Sequence, residues 1–274
     1  MSGLRSISPC FFAAWGIRFT IRGLGLLRMI SEKQKAIMEK SVEMSDWNAC
    51  EVKQCYRWGG IAALLLAIGY VAIIPLFAWA GAPPVTGEAW FRYLPGKTTA
   101  WWVIIWLSVI TDLLYLPVAW ALWIALRKAG TNLMLAAIVC LHLFVVLDLA
   151  VTWTHHASLL ALFQNYSSAA DEAHRAAYLA AAEYASSIYA TPLLTFYIIV
   201  IPSVGVLLAS ITMIKARFGK ASAWTGVISG VFGILSLAGF FPFVMANALG
   251  ATLWFFLVGA RLLRLGRACA EGKE

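Results

Sequence analysis

Long apolar runs separated by short polar segments set the pattern of this chain. Six runs have the roughly 17–25 residues that a helix needs to cross a bilayer. They are Trp58 to Gly81, Thr99 to Leu126, Leu133 to Thr154, Ile188 to Ile214, Ala223 to Phe241 and Asn247 to Leu263. None alternates apolar with polar residues, as the strands of a membrane barrel do. Only helices and closed barrels satisfy their backbone groups in lipid. The predicted fold class is therefore all-α, a polytopic bundle of six transmembrane helices. The last two runs are short and joined by "PFVMA", which predicts a tight helical hairpin. Pro75, Pro117, Pro192 and Pro202 predict bends in the first, second and fourth helices. Gly226, Gly230 and Gly233 sit on the fifth helix at small-residue spacing, which permits close helix contact.

The segments outside the runs differ in kind. Residues 1–57 form a basic lead. Its first 28 residues carry four Arg and no acid. They read either as an amphipathic segment on an anionic membrane surface or as an over-extended start, with Met29 or Met38 as the initiator. Arg18 and Arg22 interrupt the apolar stretches, so a secretory signal is not the reading. The expectation is that residues before Met29 are dispensable. The rest of the lead reads as polar, cytoplasmic and partly helical. Residues 58–267 form the six-helix domain and 268–274 a short tail. Residues 163–187 are rich in Ala and Glu without Pro or Gly, which predicts that the third and fourth helices extend into an outer helical hairpin.

Composition supports the membrane reading: 62% of residues are hydrophobic and only 12% charged, against about 25% charged in soluble domains. The formal charge of +8 does not point to nucleic acid, because the basic residues flank apolar runs. The lead, Arg127-Lys128, the Lys215 to Lys220 turn and the segment from Arg261 onward carry 18 of the 21 Lys and Arg. The other loops hold only Arg92, Lys97 and Arg175. Positive charge collects on the cytoplasmic side, so both termini are predicted to be cytoplasmic. Trp58, Trp120, Trp123 and Trp224 then mark an inner aromatic belt, and Trp79, Trp101, Trp102 and Trp153 an outer one. Five cysteines form no disulfide framework; Cys50 and Cys55 fall on the reducing side, and two thiols alone do not close a metal site. No cofactor is implied.

The candidate chemistry lies in "LHLFVVLDLAVTWTHH", Leu141 to His156. An acid at the centre of a membrane helix costs about 2.5–3.5 kcal/mol on insertion scales, so Asp148 needs a reason. Helical spacings of four and seven return to one face, which groups Asp148, Thr152 and His155 into a stripe toward the outer surface and leaves His142 elsewhere. The second helix supplies Asp112. Reflection about the short turn near Gly130 sets Asp112 opposite Leu147, at the depth of Asp148. No basic residue lies at that depth. Two close carboxylates do not both ionise readily, so the pair could hold a proton, a cation or a cationic ligand. The alternative is a packing-only pair, neutral and bonded to Thr111, Tyr115, Thr191, Thr195 or Tyr197. Adjacent His155 and His156 diverge by about 100° on a helix and do not chelate together; His142 has no axial histidine on another helix for haem. There is no H-E-x-x-H, G-x-S-x-G or P-loop.

The layout from Tyr56 to Arg267, with the short final hairpin after "AWTGVISGVFGIL" and the ending "LWFFLVGARLLRLGR", resembles a family of uncharacterised bacterial six-helix membrane proteins, the domain of unknown function family 4386. That resemblance implies a bacterial inner membrane and no assigned activity. Two functional expectations stand. One is a small transporter or ligand-binding module for an unidentified ion or small ligand, using Asp112, Asp148, Thr152 and His155. The other is a structural or partner-binding membrane protein. An intramembrane enzyme ranks third because no nucleophile–base set is visible.

Overall fold

The computed structural model describes residues 49–270, and side chains from residue 51 to 268. The basic arm, the start-site expectation and the last four residues of the tail lie outside the described residues. All regular structure described is helical. Helix α1 covers Ala49–Ala80, α2 Gly87–Tyr93 and α3 Thr98–Leu147. A π-helical segment, Asp148–Trp153, joins α3 to α4, Thr154–Ser168. Helix α5 is Glu172–Ser186. A 3-10 turn (Ser187–Ala190), one turn of helix (Pro192–Thr195) and a second π segment (Phe196–Val200) lead to α6, Ile201–Lys215. Helices α7 and α8 are Lys220–Leu235 and Phe241–Ala270.

Five helical stretches are long and apolar enough to cross a membrane. One of them, Thr98–Ser168, is 71 residues long and holds both the second and third apolar runs. It is broken at Gly130, whose φ of −177° and ψ of 75° leave the helical region. The arms on either side of Gly130 come back together: the Tyr115 and Phe144 rings are 5.0 Å apart and the Trp153 indole reaches Asp112. Helix α1 packs on α3 and α8, α3 on α6, α6 on α7, and α7 on α8. Gly69 of α1 faces Thr111 of the first arm, while Gly205 of α6 faces Leu141 of the second. The helices therefore close a ring in the order α1, first arm, second arm, α6, α7, α8.

The outside of this ring is apolar. Trp106 and Val146 are each 62% exposed, and Leu65, Ile110, Ile228 and Leu253 are also exposed. An apolar surface of this extent is tolerated against lipid rather than water. Inside, the buried apolar residues fall into two clusters. The larger centres on Leu66, Leu122, Met134, Leu141, Trp254 and Phe255. The smaller centres on Trp90, Leu94, Trp101, Ile104, Leu159 and Leu160. Helices α4 and α5 pair as a helical hairpin, and α2 packs on α5. A Cβ on Gly87 would collide with the Ala182–Glu183 backbone, so α2 and α5 touch backbone to backbone there.

Three boundary expectations are corrected. Pro192 does not bend a continuous fourth helix. Thr191 is extended and Pro192 begins a new turn, where a missing N–H leaves no bond unmade. The "PFVMA" segment is not a connector, because α8 starts at Phe241. The turn is instead the 3-10 segment Ser236–Ala238 and left-handed Gly239, with φ 74°. The final helix is thus 30 residues long rather than short.

Candidate functional site

The first arm of α3 buries one continuous stripe: Trp101, Ile104, Ile105, Ser108, Thr111, Asp112 and Tyr115. Spacings of three and four return these residues to one helix face, and that face looks into the ring. The second arm answers with Leu141, Phe144 and Val145, continued by Asp148 and Thr152 in the π segment. Asp112 is 3% and Asp148 5% exposed. The two carboxyls are close enough to feel each other's charge. Asp112 Oδ2 also accepts from Trp153 Nε1 at 2.7 Å. A Cβ on Gly69 would run into the Thr111 methyl, so glycine there lets α1 come close and brings Tyr70 beside the pair. The Tyr70 and Tyr115 hydroxyls meet at 2.5 Å. The two rings also pack edge-on against Phe255.

The π segment changes which residues share the site. A π turn takes one extra residue, visible in the Thr154 hydroxyl donating to Leu149 O, five residues back. The buried stripe therefore runs Asp148, Thr152, His156, and His155 falls off it. Thr152 and His156 are 5% and 7% exposed. His155 donates from Nδ1 to Val151 O and lines a separate groove with Ser158, Asn165 and Tyr184. This corrects the assignment of His155 to the Asp148 stripe, which assumed an unbroken α-helix.

His156 sits in an aromatic box. Its ring stacks on Trp101 at 5.1 Å and 16°. Tyr189, Trp153 and Trp90 lie at 4.6, 5.4 and 5.6 Å. Nδ1 donates to Thr152 O at 2.9 Å, which fixes the tautomer and leaves the lone pair on Nε2. Trp101 is thus an interior residue and not a member of an outer belt, while half-buried Trp153 turns its indole N–H inward to Asp112. Trp101 is fully buried.

Four buried polar atoms in this region make no hydrogen bond: Trp90 Nε1, Asp148 Oδ1, Thr152 Oγ1 and Tyr189 Oη. Thr152 and Trp153 lie close to the Asp148 carboxyl, yet Asp148 Oδ1 and Thr152 Oγ1 meet no partner in regular geometry. Buried polar atoms in folded proteins are nearly always paired, so one N–H and three oxygens left open together are unusual. Among the described residues only three further atoms share this state: Ser210 Oγ and Trp254 Nε1, both beside Gly226, and Arg261 Nε.

The residues named as packing-only partners do not bond the carboxyls. Thr111 donates to Ser108 O, Thr191 to Ile188 O, and Tyr115 pairs with Tyr70. Trp153 takes that role instead. His142 donates to Ile138 O at 2.8 Å. Cys55 and Cys140 are free thiols. No group of three or more His, Cys, Asp or Glu gathers in metal-binding geometry among the described residues.

Comparison of the chain with protein-family models, with curated proteins and with solved structures finds no match.

Proposed function

We propose that this chain is a six-crossing membrane protein whose Asp112–Asp148 pair binds a proton or a small monovalent cation, as part of a transporter or ligand-binding module. The observation that carries the reading is the pair itself: two buried, adjacent carboxyls with Asp148 Oδ1 and Thr152 Oγ1 open. Two ionised carboxylates in contact away from water repel strongly, and the effective penalty for burying each unpaired ion is several kcal/mol. A shared proton or a bound cation removes that penalty. Thr152 and His156 continue the polar column outward, so a proton has hydroxyl and imidazole groups to visit between Asp148 and the aromatic box. His156 takes the place that His155 held in the sequence reading. Oxygen ligands suit hard cations, and two carboxyls with one hydroxyl fit a small one.

The packing-only reading keeps one observation in its favour. Trp153 bonds Asp112 and packs on His156, which stacks on Trp101, and both carboxyls are almost fully buried. A neutral pair in such surroundings needs no ligand.

Linkage separates the two. A ligand that binds only the folded protein stabilises it by about 2.7 kcal/mol at 100 times its Kd. The melting temperature of purified protein should therefore depend on pH, or on Li+, Na+ or K+ at constant ionic strength. The double variant Asp112→Asn/Asp148→Asn should lose that dependence while staying folded. Equal responses in parent and variant would leave only the packing role.

The six crossings and cytoplasmic termini belong to the same proposal, as do the bacterial inner membrane and the family resemblance. The number of crossings is supported by the reversal at Gly130, and the orientation by the distribution of basic residues. In a cysteine-free background, external thiol reagents should reach Ala82→Cys and Ser168→Cys but not Asn132→Cys or Ala221→Cys. Gly87 is unsuited to such labelling because it is buried against α5. External labelling of the last two positions in intact cells would reject this topology.

A further inference from the structure

Helices α1 and α8 touch backbone to backbone toward one end, where a Cβ on Gly60 would lie 3.0 Å from Gly259 O. Toward their other ends a cavity of about 250 Å³ sits among α1, α3, α6, α7 and α8. Its walls include Ile74, Ile198, Val244 and Ala251. Its polar edge is the Tyr70–Tyr115 hydroxyl pair and Asn247. Ile74 is 47% exposed and Ala248 is also exposed, so the cavity opens sideways through the lipid-facing surface. The α8 wall is lined by small side chains, Ala248, Ala251 and Thr252, and this is what leaves the space.

The chemistry of the lining is specific in one respect. None of the fifteen lining residues carries a charge. A phosphate head would find no counter-ion among them and would bear the full desolvation cost. Hydrogen-bonding capacity is nevertheless present. The tyrosine pair has two hydroxyl protons and one mutual bond, so one proton is free to donate. The Asn247 amide donates to Ser203 Oγ and Ser229 O at 3.0 and 2.9 Å, and its Oδ1 accepts no bond from the described residues. One donor and one acceptor in an apolar cleft suit a head that carries both a carbonyl and a hydroxyl. The volume is near the lower edge of small-molecule sites, about 300 Å³, which fits a head and the start of one chain.

We infer that this lateral cleft binds an uncharged lipid with a hydroxyl-and-ester head, of the monoacylglycerol class, entering from the bilayer between α1 and α8. The inference does not rest on the carboxyl pair, and the Asp148→Asn protein should bind as the parent does.

The test uses the full chain in nanodiscs with a monoacylglycerol carrying a diazirine near the head, and the matching lysophosphatidate as the charged probe. After irradiation, adducts should concentrate in residues 70–74, 198–206 and 244–252. Excess unlabelled monoacylglycerol should remove them. Ala251→Trp, which fills the cleft, should lower labelling about tenfold, equivalent to about 1.4 kcal/mol of binding. If that variant fails to fold, Ala248→Phe and competition on the parent carry the same test. Labelling spread evenly over outward residues such as Trp106, Ile110 and Leu113, adducts that unlabelled monoacylglycerol does not displace, or equal labelling of the cleft by lysophosphatidate would each overturn the inference.

Discussion

Two polar clusters lie inside this apolar ring, and they are built in opposite ways. The cluster between α6, α7 and α8 is neutral and bonded: Asn247 donates to Ser203 and Ser229, and Ser229 returns a bond to Asn247 O at 3.0 Å. Glycine closes it, since a Cβ on Gly233 would strike the Ser203 hydroxyl. The cluster between the arms of α3 is acidic and open, with Asp148 Oδ1 and Thr152 Oγ1 unbonded. In lipid, helices gain nothing from burying apolar surface against each other, so close packing and interhelical hydrogen bonds hold them. The neutral cluster does that. The acidic cluster contributes less to cohesion than its burial suggests, and its open atoms are what a bound proton or ion would use. The comparison predicts that damage to the first hurts the fold and damage to the second hurts binding.

The largest effect should come from Gly233→Val. Overpacking a well-packed core costs about 1–3 kcal/mol and occasionally more, and the Ser203–Asn247 contact beside Gly233 leaves little room to move, so the upper end or beyond is expected. Chemical denaturation in detergent, with retention on size exclusion, reads it. A parent-like stability would mean that the seam is loose. Next comes Asn247→Leu, which removes the amide that bridges Ser203 Oγ and Ser229 O and leaves Ser203 Oγ without that partner. A buried polar group left without its partner costs about 1–3 kcal/mol, and the same denaturation should record a loss in that range. Asp148→Asn should cost less than either. A larger loss than Asn247→Leu would reverse the comparison.

Much of the fold was legible because polarity is scarce in these helices. Six apolar runs and the basic turns located the helices and the reversal near Gly130. The buried face of the first arm could also be read, since Ser108, Thr111 and Asp112 mark it. What was not legible has physical causes. An apolar helix in lipid is hydrophobic all round, so Trp101 and Trp153 look alike whether they face lipid or the interior. The π turn at Asp148–Trp153 adds one residue to the period without any composition cue, and moved the stripe from His155 to His156. Helix α2 is seven residues long, too short for a periodic pattern. The carboxyl pair was reached through reflection about the turn, whereas the box around His156 needs α2 and Tyr189, which sequence spacing cannot bring together.

Smaller effects sharpen the account further. Trp153→Phe removes the N–H donated to Asp112. It should leave the fold within about 1–2 kcal/mol and shift the pH or cation dependence of melting. An unchanged dependence would detach Trp153 from the site. Asp171, outside the apolar runs, should matter least. The His174 backbone N–H and imidazole hold its carboxyl below the usual range. Stabilisation from a lowered acid is present above the unfolded value, about 3.9, and fades as pH falls through the folded one. Asp171→Ala should thus differ slightly from the parent at neutral pH and converge with it in strong acid. A gap that widens in acid would contradict that sign.

The central claim is that Asp112 and Asp148 act as one unit holding a proton, or a cation in its place. Infrared spectroscopy of the carboxyl C=O stretch in protein labelled with carbon-13 aspartate tests it most directly. At neutral pH in cation-poor buffer, the parent should show a protonated-carboxyl band. That band should vanish in Asp112→Asn/Asp148→Asn and should diminish in the parent if a cation replaces the proton. A parent with no protonated aspartate at neutral pH, and no change on adding Li+, Na+ or K+, would contradict the account.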